Sequence, residues 1–159
     1  MILRFLLIVG LSFGFVYANI TLCSRNEAVI FSCDMKKKKL SVCKKNHYQY
    51  VYRYGTRKKV ELEITAKPKF SSEQFIRAQY ESHLRFHNKG YDYIVYSNEL
   101  LVYDKNPYDE TAHYEEHNGV YVVKDRKVLV KLRCKKMYPY MKGISSIINY
   151  VPKEKYIGY

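Results

Sequence analysis

His47–Ile64 reads HYQYVYRYGTRKKVELEI. Tyr48, Tyr50, Tyr52 and Tyr54 alternate with Gln49, Val51 and Arg53. Beyond Gly55–Lys59, Val60, Leu62 and Ile64 alternate with Glu61 and Glu63. A period of two on both sides of a glycine-containing loop marks a β-hairpin, because successive strand side chains point to opposite faces. A loop over residues 55–59 sets Tyr54 against Val60, Tyr52 against Leu62 and Tyr50 against Ile64. The same register sets Arg53 against Glu61 on the other face, so apolar and charged pairs separate cleanly.

Similar signals extend outward. Upstream, Ala28–Met35 is strand-like, Lys36–Lys39 is a charged turn and Leu40–Cys43 returns. Downstream, Ser82–Phe86 and Tyr91–Tyr96 flank Asn88-Lys89-Gly90, and Leu100–Tyr103 continues the pattern. Gly119–Val123 and Val128–Cys134 form a last hairpin around Asp125-Arg126. His83 and His87 alternate with Leu84 and Phe86, which assigns them to a solvent face. Two segments break the pattern. Ala66–Gln79 contains Pro68 and a Ser71/Gln74 capping box, which predicts one or two helical turns or a loop. Asn106–Asn118 is polar and acidic, contains Pro107, and reads as a long loop. In the tail 135–159, Ile144, Ile147, Ile148 and Val151 follow helical spacing up to Pro152, which predicts a short helix docking on the sheet. The whole predicts an all-β fold: a small antiparallel barrel or sandwich of about 7–8 strands built from hairpins, with a short C-terminal helix.

The first 18 of the 159 residues are set apart. One cation, Arg4, precedes the apolar run Phe5–Phe15, and Val16-Tyr17-Ala18 forms a small-residue cleavage site. This n/h/c pattern is that of a secretory signal peptide. The expected mature chain is a single disulfide-stapled domain over 19–159. Losing Arg4 alone lowers the net charge from +13 to +12. So strong a positive balance favours anionic partners, although a lysine-rich composition also arises without function. Cys23, Cys33, Cys43 and Cys134 all lie in the mature part, and an even count in an exported chain implies two disulfides. A hairpin loop centred on Lys38 places Cys33 opposite Cys43 and leaves Cys23 to pair with Cys134. A one-residue shift of that turn favours Cys23–Cys43 with Cys33–Cys134 instead, because side chains alternate between faces. The ten-residue spacings lack the close cysteine pair of a structural zinc site.

Three constellations invite a catalytic reading. His113-Tyr114-Glu115-Glu116-His117 matches the inverted zinc-protease pattern H-x-x-E-H, whose chemistry needs both histidines on one helical face. Asn118-Gly119 and Pro107 bracket it too closely for such a helix. The five histidines (His47, His83, His87, His113, His117) offer acid–base groups, but no spacing singles out a pair. Glu61 and Glu63 share a strand face, where Arg53 and Lys59 neutralise them. No residue set emerges as catalytic, and no cofactor or metal is expected. The densest basic set is Lys36, Lys37, Lys38, Lys39, Lys44, Lys45, Arg57, Lys58 and Lys59, all at hairpin turns or strand ends. This set is the candidate anion- or partner-binding surface.

The run Phe31-Ser32-Cys33, Leu40-Ser41-Val42-Cys43, Tyr50-x-Tyr52-Arg53-Tyr54-Gly55 and Glu61-Leu62-Glu63 resembles a group of small uncharacterised exported proteins of Gram-negative bacteria. Gly119-Val120, Val128 and Leu132-x-Cys134 are similar to that group's final hairpin. The resemblance spans roughly residues 28–134, implies a periplasmic β-domain and brings no catalytic residues. The layout also loosely resembles membrane-bound inhibitors of c-type lysozyme. The S-G-x-x-Y stretch of those inhibitors is missing, and the positive charge would repel basic lysozymes, so that function is not carried over.

The expectation is therefore a non-enzymatic, periplasmic or secreted binding protein. It would act as an inhibitor or immunity protein, or bind an anionic envelope component. Nucleic acid is not an expected partner, and no membrane span is expected after signal cleavage. The alternative is a small secreted nuclease-like hydrolase using histidine and carboxylate groups. N-terminal sequencing of the exported protein should begin at Asn19. A mature chain that still starts at Met1 would contradict the export reading.

Overall fold

The structure is a computed structural model and describes residues 20–75, 79–103, 112–138 and 143–159. The signal-peptide assignment lies outside these residues, as do 76–78 of the expected helix and 106–111 of the expected loop. Among the described residues, ten strands make two five-stranded sheets. Sheet A contains β1 (Ala28–Met35), β2 (Lys38–Lys44), β3 (Tyr50–Gly55), β4 (Val60–Ala66) and β10 (Lys136–Met137), in the order β10-β1-β2-β3-β4. Sheet B runs β5 (Lys69–Phe75), β6 (Gln79–Asn88), β7 (Tyr91–Tyr103), β8 (Ala112–Lys124), β9 (Lys127–Arg133) in sequence order. All neighbours are antiparallel. The sheets stack as a sandwich rather than closing into a barrel, and the strands number ten rather than 7–8.

The sandwich core explains which strands form. Phe31, Leu40, Val42, Tyr50, Tyr52 and Ile64 from sheet A meet Phe70, Leu84, Phe86, Val95 and Val120 from sheet B. Tyr52 links the layers directly, with ring centroids 5.7 Å from Phe86 and 5.5 Å from Tyr93. Burial raises the Tyr52 phenol well above its ordinary pKa, so it stays neutral inside the core. Ile144, Ile147 and Val151 complete the core from the tail. The expected helix there is a single 3-10 turn, Ile144–Ile147, in which Ile144 and Ile147 are buried.

Several sequence-based expectations need correction. The Tyr-rich hairpin exists, but Tyr54 faces Leu62, Tyr52 faces Ile64, Tyr50 faces Ala66 and Arg53 faces Glu63. A bulge beside Gly55 causes this two-residue shift, which preserves which side chains share a face. Gly55 sits at φ 148°, and a Cβ there would lie 2.5 Å from the Lys59 carbonyl oxygen. Ser71 caps no helix: Lys69–Phe75 pairs with β6, Phe70 opposite Leu84. A strand buries Phe70 in the core and satisfies its backbone, which one isolated helical turn cannot do. Residues 112–118 are strand, because β7 continues opposite them from Ser97 to Tyr103. Their polar composition reflects an exposed ribbon, not a loop.

The disulfides are Cys23–Cys43 and Cys33–Cys134, with Cα separations of 5.5 and 5.7 Å. This overturns the pairing of Cys33 with Cys43 and of Cys23 with Cys134. The first turn is tighter than a loop centred on Lys38: Met35 pairs with Lys38, so only Lys36 and Lys37 connect the strands. Cys33 then faces Leu40 in the core, whereas Cys43 shares the outer face with Ser41. There Ser41 and Ser32 hold the N-terminal segment through the Leu22 N–H (3.0 Å) and the Ile20 carbonyl (2.8 Å). On the chain-entropy argument, losing Cys33–Cys134 should destabilise by about 4–5 kcal/mol and losing Cys23–Cys43 by about 3 kcal/mol. Denaturant unfolding of the two double-serine variants tests this ranking. A reversed order, or a mapped Cys33–Cys43 peptide, would contradict the assignment.

Candidate functional site

The candidate cations of the hairpin turns lie at one end of sheet A, whereas Lys44, paired with Ala28 and Tyr50, and the adjacent Lys45 lie at the other and do not join them. Lys36 and Lys37 form the β1–β2 turn, Lys39 pairs with Gly55, and residues 56–59 form the β3–β4 loop. The loop closes through reciprocal backbone bonds between Thr56 and Lys59, of 2.8 and 3.1 Å. The other edge adds cations that the sequence reading missed. Asp34 pairs with Lys136, and the Lys135 N–H donates to the Asp34 carbonyl at 2.7 Å. Nine cations thus follow the strand order β10-β1-β2-β3-β4: Lys135, Lys136, Lys36, Lys37, Lys38, Lys39, Arg57, Lys58 and Lys59. With strands about 4.8 Å apart, this rim spans roughly 19 Å.

The rim has two kinds of cation. Lys39 donates to the Asp34 carboxylate and, at 3.1 Å, to Tyr138 Oη, while Tyr138 donates to Asp34 at 2.5 Å. Burial alone would lower the Lys39 pKa and raise that of Asp34. The hydrogen bonds outweigh it, so Lys39 is held above and Asp34 below its ordinary range. Lys38 bonds Glu61 at 2.5 Å, which raises its pKa, and its ammonium lies 5.3 Å from the Tyr54 ring centroid. Lys38 and Lys39 are therefore architectural. Lys36, Lys37, Lys58 and Lys59 are exposed, and no carboxylate among the described residues pairs with them. These four supply the available field, beside Arg57 at the same loop tip. No local signal could have revealed Lys135 and Lys136, whose place depends on the chain crossing from sheet B to β10.

The remaining constellations have structural partners. His113 and His117 do share a face with Glu115, at 3.8 and 3.6 Å, but on a strand. The helix required by the protease pattern is absent from this segment, and Arg133 bonds His117 as well. Glu63 accepts from Arg53 at 2.7 Å, and Arg53 also holds the nearly buried Glu27. That pairing is the main reason the Glu27 pKa is lowered. Cys23, Glu27 and Cys43 lie together, but both sulfurs are committed to a disulfide.

His83 is a correction: it is buried, not solvent-facing. Its Nε2 meets Glu81 at 2.7 Å, Glu81 also accepts from Asn98 at 3.2 Å, and the Glu81 carboxylate acts on the nearby phenols of Tyr121 and Tyr156, whose pKa values it helps to raise. Tyr156 stacks on the His83 ring at 4.7 Å. Arg85 clamps Glu154 and contacts Asp92 at 3.2 Å. The C-terminal segment so fixed leaves a cleft of only about 10 Å³ lined by Ser71, His83, Arg85, Ile94 and Tyr159 among others. That falls below the roughly 300–1,000 Å³ of ordinary ligand pockets. The network's donors and acceptors are spent on anchoring the tail. It escaped the sequence reading because Tyr156 and Tyr159 lie more than seventy residues from His83.

Among the described residues no helix is long and apolar enough to cross a membrane. The chain matches no protein-family model, no curated protein and no solved structure.

The tail anchor carries a pH signature. Burial, then the nearby charge and hydrogen bond of Glu81, push the Tyr121 phenol up to about 12 from 10.0. A raised folded pKa gives stability that is intact below the unfolded value and lost as pH rises through the folded value. Stability should therefore fall between about pH 10 and 12. Tyr121→Phe should flatten that fall in alkaline thermal melts. An unchanged alkaline slope would contradict the role given to Tyr121.

Proposed function

We propose that this chain is an exported, non-enzymatic binding protein whose basic rim engages an anionic component of the cell envelope. The observation carrying this reading is the alignment of nine cations along one end of sheet A, of which Lys39 bonds Asp34 and Lys38 bonds Glu61. Four exposed lysines without a carboxylate partner among the described residues, spread over adjacent strand ends, create a field that raises the local concentration of anions. The span matches several phosphates or carboxylates better than one. Two disulfides fit an oxidising compartment, consistent with export to the periplasm or beyond. The signal-peptide reading of residues 1–18 supports the same destination.

Phosphatidylglycerol vesicles, with phosphatidylcholine vesicles as control, test the rim. A cation near an anionic membrane surface contributes about 1 kcal/mol. Changing Lys36, Lys37, Lys58 and Lys59 to glutamine should weaken vesicle binding at least tenfold while leaving the melting temperature nearly unchanged. Wild-type binding should also weaken with added salt. Equal binding by the variant, or salt-independent binding, would overturn the proposal.

A further inference from the structure

The two edges of sheet B are treated differently. At β5, the tail pairs with the strand: the Phe70 N–H donates to the Pro152 carbonyl at 2.8 Å, and the Phe70 carbonyl accepts from the Glu154 N–H at 2.8 Å. At the opposite edge, β9 has no strand beyond it among the described residues. Its outward backbone groups are therefore available to an added strand. Val128, Leu129 and Val130 on this edge are 41%, 54% and 42% exposed, a run of three apolar side chains. A bulge at Leu129 leaves Val130–Arg133 as the regular stretch, roughly 14 Å long.

The charge around this edge selects the occupant. Lys127, Lys131 and Arg133 lie on β9, with Lys124 and Arg126 beside it, and Asp125 is the one carboxylate in 124–133. No ion pair within the described chain reaches Lys127, Lys131 or Arg133. The Lys131 ammonium instead lies 4.9 Å from the Tyr121 ring centroid and 5.7 Å from that of Tyr96. A second copy is a poor occupant. Antiparallel pairing of β9 with itself about Val130 would set Lys127 against Arg133 twice, and each chain carries +13. We infer that β9 is a docking edge for an extended acidic segment of a partner protein, added as a sixth antiparallel strand of sheet B. Main-chain hydrogen bonds would provide the attachment, and alternating carboxylates facing Lys131 and Arg133 the selectivity. This surface does not depend on the rim of sheet A.

A capped six-residue peptide alternating glutamate and valine is the probe, and amide NMR of the full mature protein is the readout. Titration should shift the Val130–Arg133 amides and slow their hydrogen exchange. Lys131→Glu should raise the dissociation constant at least tenfold. Leu129→Lys, which leaves the aromatic contact of Lys131 intact, should also weaken binding. The equivalent lysine–valine peptide should not bind. The glutamine variant of Lys36, Lys37, Lys58 and Lys59 should bind the acidic peptide normally, which separates failure of this inference from failure of the rim reading. No shifts at millimolar peptide, or shifts confined to residues 36–39 and 56–59, would overturn the inference. So would protection of β9 by phosphatidylglycerol vesicles but not by peptide, or sedimentation showing copies joined through β9.

Discussion

Sheets A and B share no hydrogen-bonded strand, so their alignment rests on side-chain packing and one covalent bond, Cys33–Cys134. Cys33 sits in the core on β1, and Cys134 follows the last residue of β9. The bond therefore pins the point where the chain leaves sheet B. The Cys134 N–H still donates to the Asn118 carbonyl of sheet B at 2.8 Å, and the next N–H, that of Lys135, already bonds Asp34 of sheet A. One residue separates the two layers at this corner. Gly119 permits it: a Cβ there would lie 2.1 Å from the Leu132 carbonyl oxygen and 2.6 Å from Tyr96 Oη. The same crossing carries Lys135 and Lys136 to the end of sheet A and so extends the basic rim.

Each sheet also has an outer face that a chain end covers. The N-terminal segment lies over Ser32, Ser41 and Cys43, locked by Cys23–Cys43 and by Arg53 held between Glu27 and Glu63. The C-terminal segment lies over Ile94, Tyr96, Tyr121 and His83, locked by Arg85 with Glu154 and by Glu81. In both cases an arginine that is mostly buried is satisfied by two carboxylates. Such a group is costly to leave unpaired, which gives each segment a defined seat rather than a greasy one. Anchoring both ends over the outer faces leaves the basic rim and the basic β9 edge uncovered among the described residues.

Local alternation was legible. Tyr50–Tyr54 and Val60–Ile64 announced a hairpin, and the turns at Lys89-Gly90 and Asp125-Arg126 lie where their residues indicated. Registers were less legible, because a bulge at Gly55 or a turn reduced to Lys36-Lys37 shifts a pairing without altering the alternation. The cysteine pairing failed for that reason: face assignment depends on turn length, to which a period of two is blind. Lys69–Phe75 was misassigned because its partner β6 and the core position of Phe70 are tertiary facts. The basic turns were visible from composition. Their union into one rim required the order of strands, and His83 required a tail that no local window contains.

If the basic end of sheet A is the surface that meets an anionic partner, its strand-end amides must respond to one. The most direct measurement is amide NMR of the full mature protein titrated with phosphatidylglycerol nanodiscs. Perturbations should concentrate at residues 36–39, 56–59 and 135–136, along the strand ends of one sheet. Perturbations spread evenly over all surface lysines, or centred on the β5 and C-terminal side of sheet B, would contradict it.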